Sequence, residues 1–336
     1  MKQLLAYCLS IILCVSFTGC MENYLDLYPE DKITSASFPE NESDIKLLLN
    51  GVYAQLREKE VYNQGLFGFG ITDGATPNAF NWGTDEVFNK LGAGRLSSSD
   101  GGVVTYRWKR CYEIISRANY LLACMDLVDL SEEAKAKYSG ETHFLRGLAY
   151  SVLAETYGGV PIILTNISTE EARSLKRASL EETWQQALDD YEVAITNLGV
   201  DAPEPGRATK GAALGMKMRA YLYQGKYKEV LSCVEQIDAL KKYGLFHSYE
   251  GLFDPANENN KEVLFDIQYI EGENSQGSYI DQYCGTGTGS WTRGSRYVPT
   301  DDLVAAYETI DGSPVDPENP YENRDPRLGF TAVLPG

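Results

Sequence analysis

One stretch of the sequence is patterned strictly for an α-helix that buries one side. Between residues 104 and 125 the apolar residues recur at alternating steps of four and three, the period of a single helix face. They are Val104, Trp108, Cys111, Ile115, Ala118, Leu122 and Met125. A stripe of this length must pack against other helices, so it predicts a helical core.

Further helices are indicated on both sides of this stripe. Apolar residues recur at helical spacing from Ser43, and Ser131 can cap a helix that ends near Gly158. Ser179 and Glu182 have the spacing of a capping box that opens another helix. The residues expected to face the core include Ile45, Leu49, Val52, Leu145, Leu148, Val152, Trp184 and Leu188.

The segment from Arg207 to Leu240 resembles a tetratricopeptide repeat, with two helices separated at Gly225. We expect Tyr227 and Val230 to pack the second helix onto the first. Several helix pairs of this kind stack into a short right-handed solenoid. The predicted fold class is therefore all-α, a tetratricopeptide-like scaffold with a loop-rich, irregular second region.

Four segments are predicted along the chain: a signal peptide at 1–19, an extended segment at 20–42, a helical scaffold at 43–243 and a loop-rich region at 244–336. The scaffold carries a long glycine-rich insertion at 61–102. Within the last region, "EVLFDIQY" predicts a strand and Asp301–Tyr307 a short helix. The apolar, strand-like sequence at the end predicts that the chain is a fragment of a longer one.

The amino-terminal residues indicate secretion and anchoring. An apolar run from Leu4 to Phe17 follows Lys2 and is shorter than the about 20 residues that a membrane-spanning helix needs. It ends in "FTGC", which resembles a bacterial lipobox, so Cys20 is predicted to be acylated and to hold the protein on a membrane. A plain secretory signal with an incidental Cys20 is the alternative.

Charge and cysteine content exclude several classes of protein. With 48 acidic and 30 basic residues, the chain has a formal net charge of −18, which repels phosphate backbones and makes nucleic acid an unfavourable partner. The cysteines after the signal form no C-x-x-C pair, so we predict neither a disulfide framework nor a metal site. They are Cys20, Cys111, Cys124, Cys233 and Cys284.

The sequence offers little support for an enzyme. Its two histidines are His143, expected on a helix surface, and His247, and no nucleophile elbow, zinc-protease or phosphate-loop motif occurs. Residues 254–260 ("DPANENN") could hold a cation loosely, and this alternative stays open. The acidic residues are so numerous that no pair of catalytic carboxylates, as a glycosidase needs, can be chosen from their spacing. We predict a non-catalytic protein without a cofactor.

The aromatic content favours contact with sugars. Tyrosine occurs 23 times against 11 phenylalanines, and tyrosine and tryptophan combine a flat apolar face with a polar group. Trp82 and Trp291 lie in loops beside asparagine or arginine, where they could stack on a sugar ring or, alternatively, fix each loop to the body. Trp108 and Trp184 lie on helical stripes and are assigned to the core.

Several sequence segments together resemble those of the SusD/RagB family of outer-membrane nutrient-binding lipoproteins. They are "CMENYLDLYPEDKIT", "WKRCYEIISRANYLL", "ETHFLRGLAYSVLAETYGGVPIIL", "GRATKGAALGMKMRAYLYQGKY" and "PTDDLVAAYETIDG" followed by "ENRDPRL". The resemblance implies a helical scaffold, an irregular glycan-binding face, and a SusC-like TonB-dependent barrel transporter as partner. It also implies that Cys20 is lipidated and faces the cell exterior.

The resemblance further implies an arc of aromatic residues from loops, which here correspond to Trp82, Tyr283 and Trp291. Asn78, Asn81 and Arg293 are the expected hydrogen-bonding residues at the rim. The expected function is capture of oligosaccharide and its delivery to the transporter. A lipid-anchored scaffold for a protein partner and a surface glycosidase are the alternatives, and the identity of the glycan stays open.

Overall fold

The computed structural model describes the chain in blocks, which are residues 38–57, 73–81, 90–97, 99–269, 297–332 and 334. From Asn41 onwards these residues belong to one unit, and residues 38–40 belong to a separate amino-terminal one. The segment boundaries placed at residues 19, 42 and 243 from the sequence stay predictions.

Helices dominate the described residues and confirm the predicted all-α class. They are α1 (Glu42–Tyr53), α2 (Val103–Cys124), α3 (Glu132–Tyr157), α4 (Thr169–Ser174), α5 (Leu180–Asn197), α6 (Lys210–Tyr223), α7 (Tyr227–Ala239), α8 (Asp301–Ala306) and α9 (Arg327–Thr331). None of these helices has the length and apolarity to cross a membrane. The strands of the described part are β1 (Ala79–Asn81) and β2 (Tyr297–Pro299), and short 3-10 turns lie at Ala54–Arg57, Met125–Leu127, Gly251–Phe253 and Pro255–Asn257.

Local signals in the sequence set the ends of the main helices. The Ser131 hydroxyl accepts a hydrogen bond from the Ala134 amide at 3.2 Å and caps α3. Ser179 and Glu182 form the predicted reciprocal capping box of α5. Gly225, with φ at +70°, makes the turn between α6 and α7, a conformation that a side chain would disfavour.

The core forms where successive helices stack, in the order α1, α2, α3, α5, α6 and α7. The middle of the predicted α2 stripe is buried, with Cys111, Ile115 and Ala118 at most 1% exposed, whereas Val104, Trp108 and Leu122 are half-buried. On α3, a Cβ added to Gly147 would lie 3.0 Å from the Tyr191 ring of α5. The small residue therefore allows α3 and α5 to approach closely.

A buried ion pair joins three of these helices. The Arg146 guanidinium on α3 donates to both carboxylate oxygens of Asp190 on α5, at 2.7 and 3.0 Å, and to the Asn119 side chain on α2 at 2.8 Å. Asn119 in turn donates to the Ile163 carbonyl at 3.0 Å. Because the partners are bonded to one another, these charges can lie inside the body without an unmet hydrogen bond.

The predicted packing of α7 is wrong for Tyr227, whereas the other residue named, Val230, is half-buried. Tyr227, expected to pack α7 onto α6, is 67% exposed, and the buried residue of α7 is Cys233. The helix is rotated so that Leu231 and Val234 also face outward. The repeat motif located the two helices correctly but assigned the wrong residue to their contact.

The predicted strand "EVLFDIQY" is also wrong within the part of the chain that the structure describes. Residues 262–269 belong to no ladder there, although alternate side chains, Phe265 and Ile267, pack against the core. The Phe265 ring lies 4.9 Å from that of Phe144 on α3. The alternation in the sequence therefore reflects contact with helices, while a strand needs a neighbouring strand as well.

Three other assignments from the sequence have mixed outcomes. Trp184 is buried, whereas Trp108 is half-buried and contacts the rings of Tyr112 and Tyr157 at 5.0 and 5.2 Å. His143 is half-buried instead of lying at the surface, and its Nδ1 is 2.8 Å from the Ser139 carbonyl oxygen. Desolvation lowers the pKa of His143, so the structure favours its neutral form.

Candidate functional site

A short antiparallel ladder brings together two regions that are far apart in the sequence. Strand β1 follows Asn78, one of the residues expected at the glycan site, and β2 begins four residues after Arg293. The partners across the ladder are Ala79 with Pro299, Phe80 with Val298 and Asn81 with Tyr297. The described residues just before Trp82 and those just after Arg293 therefore meet in the fold.

The direction of the two strands determines which ends meet. Because they are antiparallel, the last residue of β1, Asn81, is paired with the first residue of β2, Tyr297. The chain leads towards Trp82 from the first and away from Arg293 at the second. Both candidate loops are thus joined to the same end of the ladder, as a shared site requires.

Most of the predicted contact residues lie outside the described residues, so their roles stay predictions. They are Trp82, Tyr283, Trp291 and Arg293, together with the lipidation site Cys20. Asn81 is described as part of β1, and Asn78 is exposed just before that strand. The Asn78 backbone is fixed, since its carbonyl accepts from the Thr300 amide at 3.0 Å and its amide donates to Thr76 Oγ1 at 3.2 Å.

The structure adds an aromatic residue that the sequence analysis missed. Phe80, at the centre of β1, is 53% exposed, although phenylalanine has no polar group that would favour contact with water. It lies two residues from Asn78 and two from Trp82 in "NAFNW". The alternation of asparagine with an aromatic residue in this motif was the available signal.

Polar contacts brace the ladder on the β2 side. Thr300 follows β2 and caps α8, accepting from the Leu303 amide at 3.2 Å, and its hydroxyl also donates to the Pro77 carbonyl beside β1. Further along, the Arg324 guanidinium donates to the carbonyls of Val304 and Tyr307 at 2.6 and 2.5 Å. The Thr300 bond ties the end of β2 to the segment before β1, and the Arg324 bonds tie α8 to the segment that follows it.

The segment before α2 is braced in a similar way. Lys90 Nζ lies 2.8 Å from Asp100 Oδ1, and the other carboxylate oxygen accepts from the Ser97 amide at 2.7 Å. The hydrogen bond from Lys90, followed by that from Ser97, lowers the pKa of Asp100 to about 2. Asp100 therefore stays ionised at neutral pH and holds this loop closed.

A cluster of ionisable groups also lies beside α1. Tyr53 Oη donates to Glu141 Oε2 at 2.8 Å, and the Arg207 guanidinium lies 4.9 Å from the centre of the Tyr53 ring. Burial raises the pKa of Glu141 and, together with the charge of Glu141, that of Tyr53. Tyr53 and Arg207 line part of a cavity of about 230 Å³. The hydrogen bonds of Tyr53, Glu141 and Arg207 tie α1 to α3 and to residues 204–208.

A family model described as "Starch-binding associating with outer membrane" matches residues 23–222. A SusD-like protein P25 of Formosa agariphila is 26% identical over 321 residues, covering 89% of this chain and 58% of the relative. A SusD-like protein of Bacteroides ovatus is 23% identical over 276 residues, which cover 76% of this chain and 48% of that relative.

Solved structures are similar in fold. A SusD-like carbohydrate-binding protein of Bacteroides fragilis superimposes with a TM-score of 0.75 at 27% identity, covering 86% of this chain and 59% of that protein. A laminarin-binding SusD-like protein has a TM-score of 0.64 at 22% identity, which indicates a shared fold, and covers 83% and 60%. The chain thus spans about three fifths of the length of the structures that it matches.

Proposed function

The chain belongs to the SusD-like family, and from this premise we propose that it is a non-catalytic lipoprotein of the cell surface that captures oligosaccharide. It then delivers the oligosaccharide to a SusC-like TonB-dependent barrel transporter. The family description and the names of the relatives support carbohydrate binding and association with the outer membrane. The anchor, the transfer step and the transporter are parts of the proposal.

The main support for the proposed site is the pairing of β1 with β2. It joins the chain before Trp82 to the chain after Trp291, and it presents Phe80 and the Asn78 side chain to solvent. A sugar ring buries its C–H face on an aromatic ring, while amides bond its hydroxyl groups. A surface of this type binds without the proton transfers that catalysis needs.

Affinity electrophoresis tests this site. The mature chain is run through gels that contain soluble starch, laminarin or other polysaccharides, beside the variants Trp82→Ala, Trp291→Ala and Phe80→Ala. We expect retardation of the parent and weaker retardation of each variant. The control is Tyr227→Ala, which removes an exposed ring from α7. Retardation that survives all three substitutions would overturn the site.

Anchoring is tested through Cys20. Cells grown with radioactive palmitate should label the parent protein and not the variant Cys20→Ser. Protease added to intact cells should then digest the labelled protein, because the proposal places it on the outer face. Label that persists in the variant would contradict acylation at this residue.

The transporter and the absence of catalysis need separate measurements. The tagged lipoprotein, purified from mild detergent, should bring a TonB-dependent barrel with it, and a wash at high salt should not remove the barrel if their contact is apolar. Incubation with the bound glycan should release no new reducing ends. Sustained release would replace the proposed receptor with a surface glycosidase.

One observation favours a second candidate, a lipid-anchored scaffold for a protein partner. Helix α7 exposes Tyr227, Leu231 and Val234, which are spaced to lie along one side of the helix. Contiguous exposed apolar groups are typical of protein contacts. Retention of the barrel together with failure to bind any glycan would favour this scaffold.

A further inference from the structure

A second group of exposed aromatic rings lies away from the predicted loops. Tyr249, Phe253 and Phe330 are 48%, 71% and 52% exposed, respectively. The centre of the Tyr249 ring lies 5.5 Å from that of Phe253 and 6.2 Å from that of Phe330. Tyr249 thus contacts each of the other two rings, and the three form a continuous apolar platform at the surface, unlike the isolated exposed side chains normal for a protein surface.

The segments that carry these rings are held in place. Phe253 ends a 3-10 turn whose Leu252 and Gly251 amides donate to the carbonyl and hydroxyl of Ser248, both at 3.0 Å. Phe330 lies on α9, which the buried side chain of Leu328 fixes to the protein. Rings on such supports lose little additional freedom when a ligand covers them.

Polar groups occur at one edge of the platform. The Tyr249 hydroxyl has no hydrogen-bond partner among the residues that the structure describes. Arg327, three residues before Phe330 on α9, is 61% exposed and is held by Asp325 through its Nε, 2.9 Å from Oδ1. The rings are inclined to one another, at 74° between Tyr249 and Phe253 and at 40° between Tyr249 and Phe330. Their exposed faces, with a free hydroxyl and an oriented ion pair beside them, suit the apolar and polar sides of a hexose ring.

We propose that Tyr249, Phe253 and Phe330 form a second glycan-contacting platform, which binds hexose units of a neutral polysaccharide. The inference rests on the proposed function, since it names another place where the same ligand is held. A neutral glycan is favoured because the net charge of −18 repels polyanionic chains. Phe253 also borders a cavity of about 800 Å³, which leaves room for more than one sugar unit.

The platform is connected to the β1–β2 ladder through described contacts. Helix α8 starts directly after β2 and has six residues, a length of about 9 Å. Just after it, Tyr307 Oη donates to the Thr331 hydroxyl at 2.8 Å, and Thr331 is the neighbour of Phe330. The proposal is that one extended oligosaccharide contacts both surfaces.

A glycan array followed by calorimetry tests the platform. The array first identifies the glycan that the parent chain binds best. Calorimetry then measures the Kd of that glycan for the parent and for Phe253→Ala, Phe330→Ala and Tyr249→Phe. We expect a three- to tenfold weaker Kd for each alanine variant, as for loss of one aromatic contact, and a smaller loss for Tyr249→Phe. Tyr227→Ala is the matched control, and unchanged melting temperatures show that the variants are folded.

The outcomes separate the two proposals. Binding by the parent that weakens in Trp82→Ala but not in Phe253→Ala or Phe330→Ala would overturn the platform and leave the proposed function intact. Platform variants that bind glycan normally yet no longer retain the transporter would also overturn it, in favour of a protein contact. A parent chain that binds nothing on the array would overturn the proposed function, and the platform with it.

Discussion

The helical body from α1 to α7 and the irregular part around β1, β2, α8 and α9 are stabilised in different ways. The body buries a continuous apolar core that runs through its stacked helices. Among the described side chains of residues 298–332, by contrast, the buried apolar ones are Leu328 and Ala332. There, individual polar bonds such as those of Arg324 and Thr300 hold the chain.

This difference indicates that the two parts have different roles, the body as support and the irregular part as the surface that can contact a ligand. A core of interlocked apolar groups makes the body rigid and leaves few of its groups free for a ligand. A region held by separate hydrogen bonds can expose rings such as Phe80 and Phe330 and can vary them without loss of the fold. The comparison predicts that substitutions in the body act on global stability, while those in the irregular part act locally.

The largest effect is expected from the buried ion pair of the body. Asp190→Ala leaves Arg146 charged and unpaired inside the core, which should lower the free energy of unfolding by about 3–5 kcal/mol. Urea denaturation measures this change. The double variant Arg146→Met with Asp190→Leu should recover most of the loss, and a cost below about 1 kcal/mol for the single variant would contradict a buried pair.

In the irregular part, Arg324→Ala should act locally. It removes the donors to the carbonyls of Val304, Tyr307 and Pro320, each hydrogen bond contributing about 1 kcal/mol. We expect faster hydrogen exchange at residues 300–325 and an unchanged urea midpoint for the body. A shift of the whole unfolding transition would show that the two parts unfold as one.

Two capping boxes give a matched comparison of smaller size. Ser179→Ala removes the cap of α5, which packs in the core, and should cost about 1 kcal/mol of global stability. Ser168→Ala removes the same type of cap from α4, which has no buried residue among those described, and should leave the urea midpoint unchanged. Equal losses in the two variants would contradict the distinction.

Acid should affect the two parts with opposite sign. Hydrogen bonds lower the pKa of Asp311 and Asp325 to about 2, so their stabilisation is complete above the ordinary value of 3.8 and is lost as the pH falls towards 2. Burial raises the pKa of Glu141, so the folded body binds that proton more readily and gains stability as the pH falls towards 4.5.

Hydrogen exchange between pH 6 and pH 2, corrected for intrinsic rates, measures both trends. Residues 309–325 should lose protection below pH 4, and Asp311→Asn should reduce that dependence near residue 313. Loss of protection in α3 before residues 309–325 would contradict the assignment.

The sequence predicted those features that depend on near neighbours in the chain. Helix periodicity located α2, and the Ser179–Glu182 spacing gave the start of α5, because both signals act within a few residues. The outward rotation of Tyr227 and the unpaired segment 262–269 escaped prediction, since they depend on which surfaces are available to pack against. The Arg146–Asp190 pair likewise exists only once α3 and α5 have met.

The candidate site was predictable only in part for the same reason. The sequence singled out Asn78, but pairing of β1 with β2 joins residues more than two hundred positions apart and has no local signal. Phe80, Phe253 and Phe330 look like core residues by type, and only their exposure in the fold distinguishes them. The roles of Trp82, Tyr283, Trp291 and Arg293 stay predictions.

The central claim is that the irregular part binds glycan while the helical body only supports it. Hydrogen exchange of the mature chain with and without its best array ligand tests this most directly. The account predicts new protection in peptides around residues 76–82 and 297–300, and at 249–253 and 330, with no change in α2, α3 or α5. Protection confined to those helices, with none in the irregular part, would contradict it.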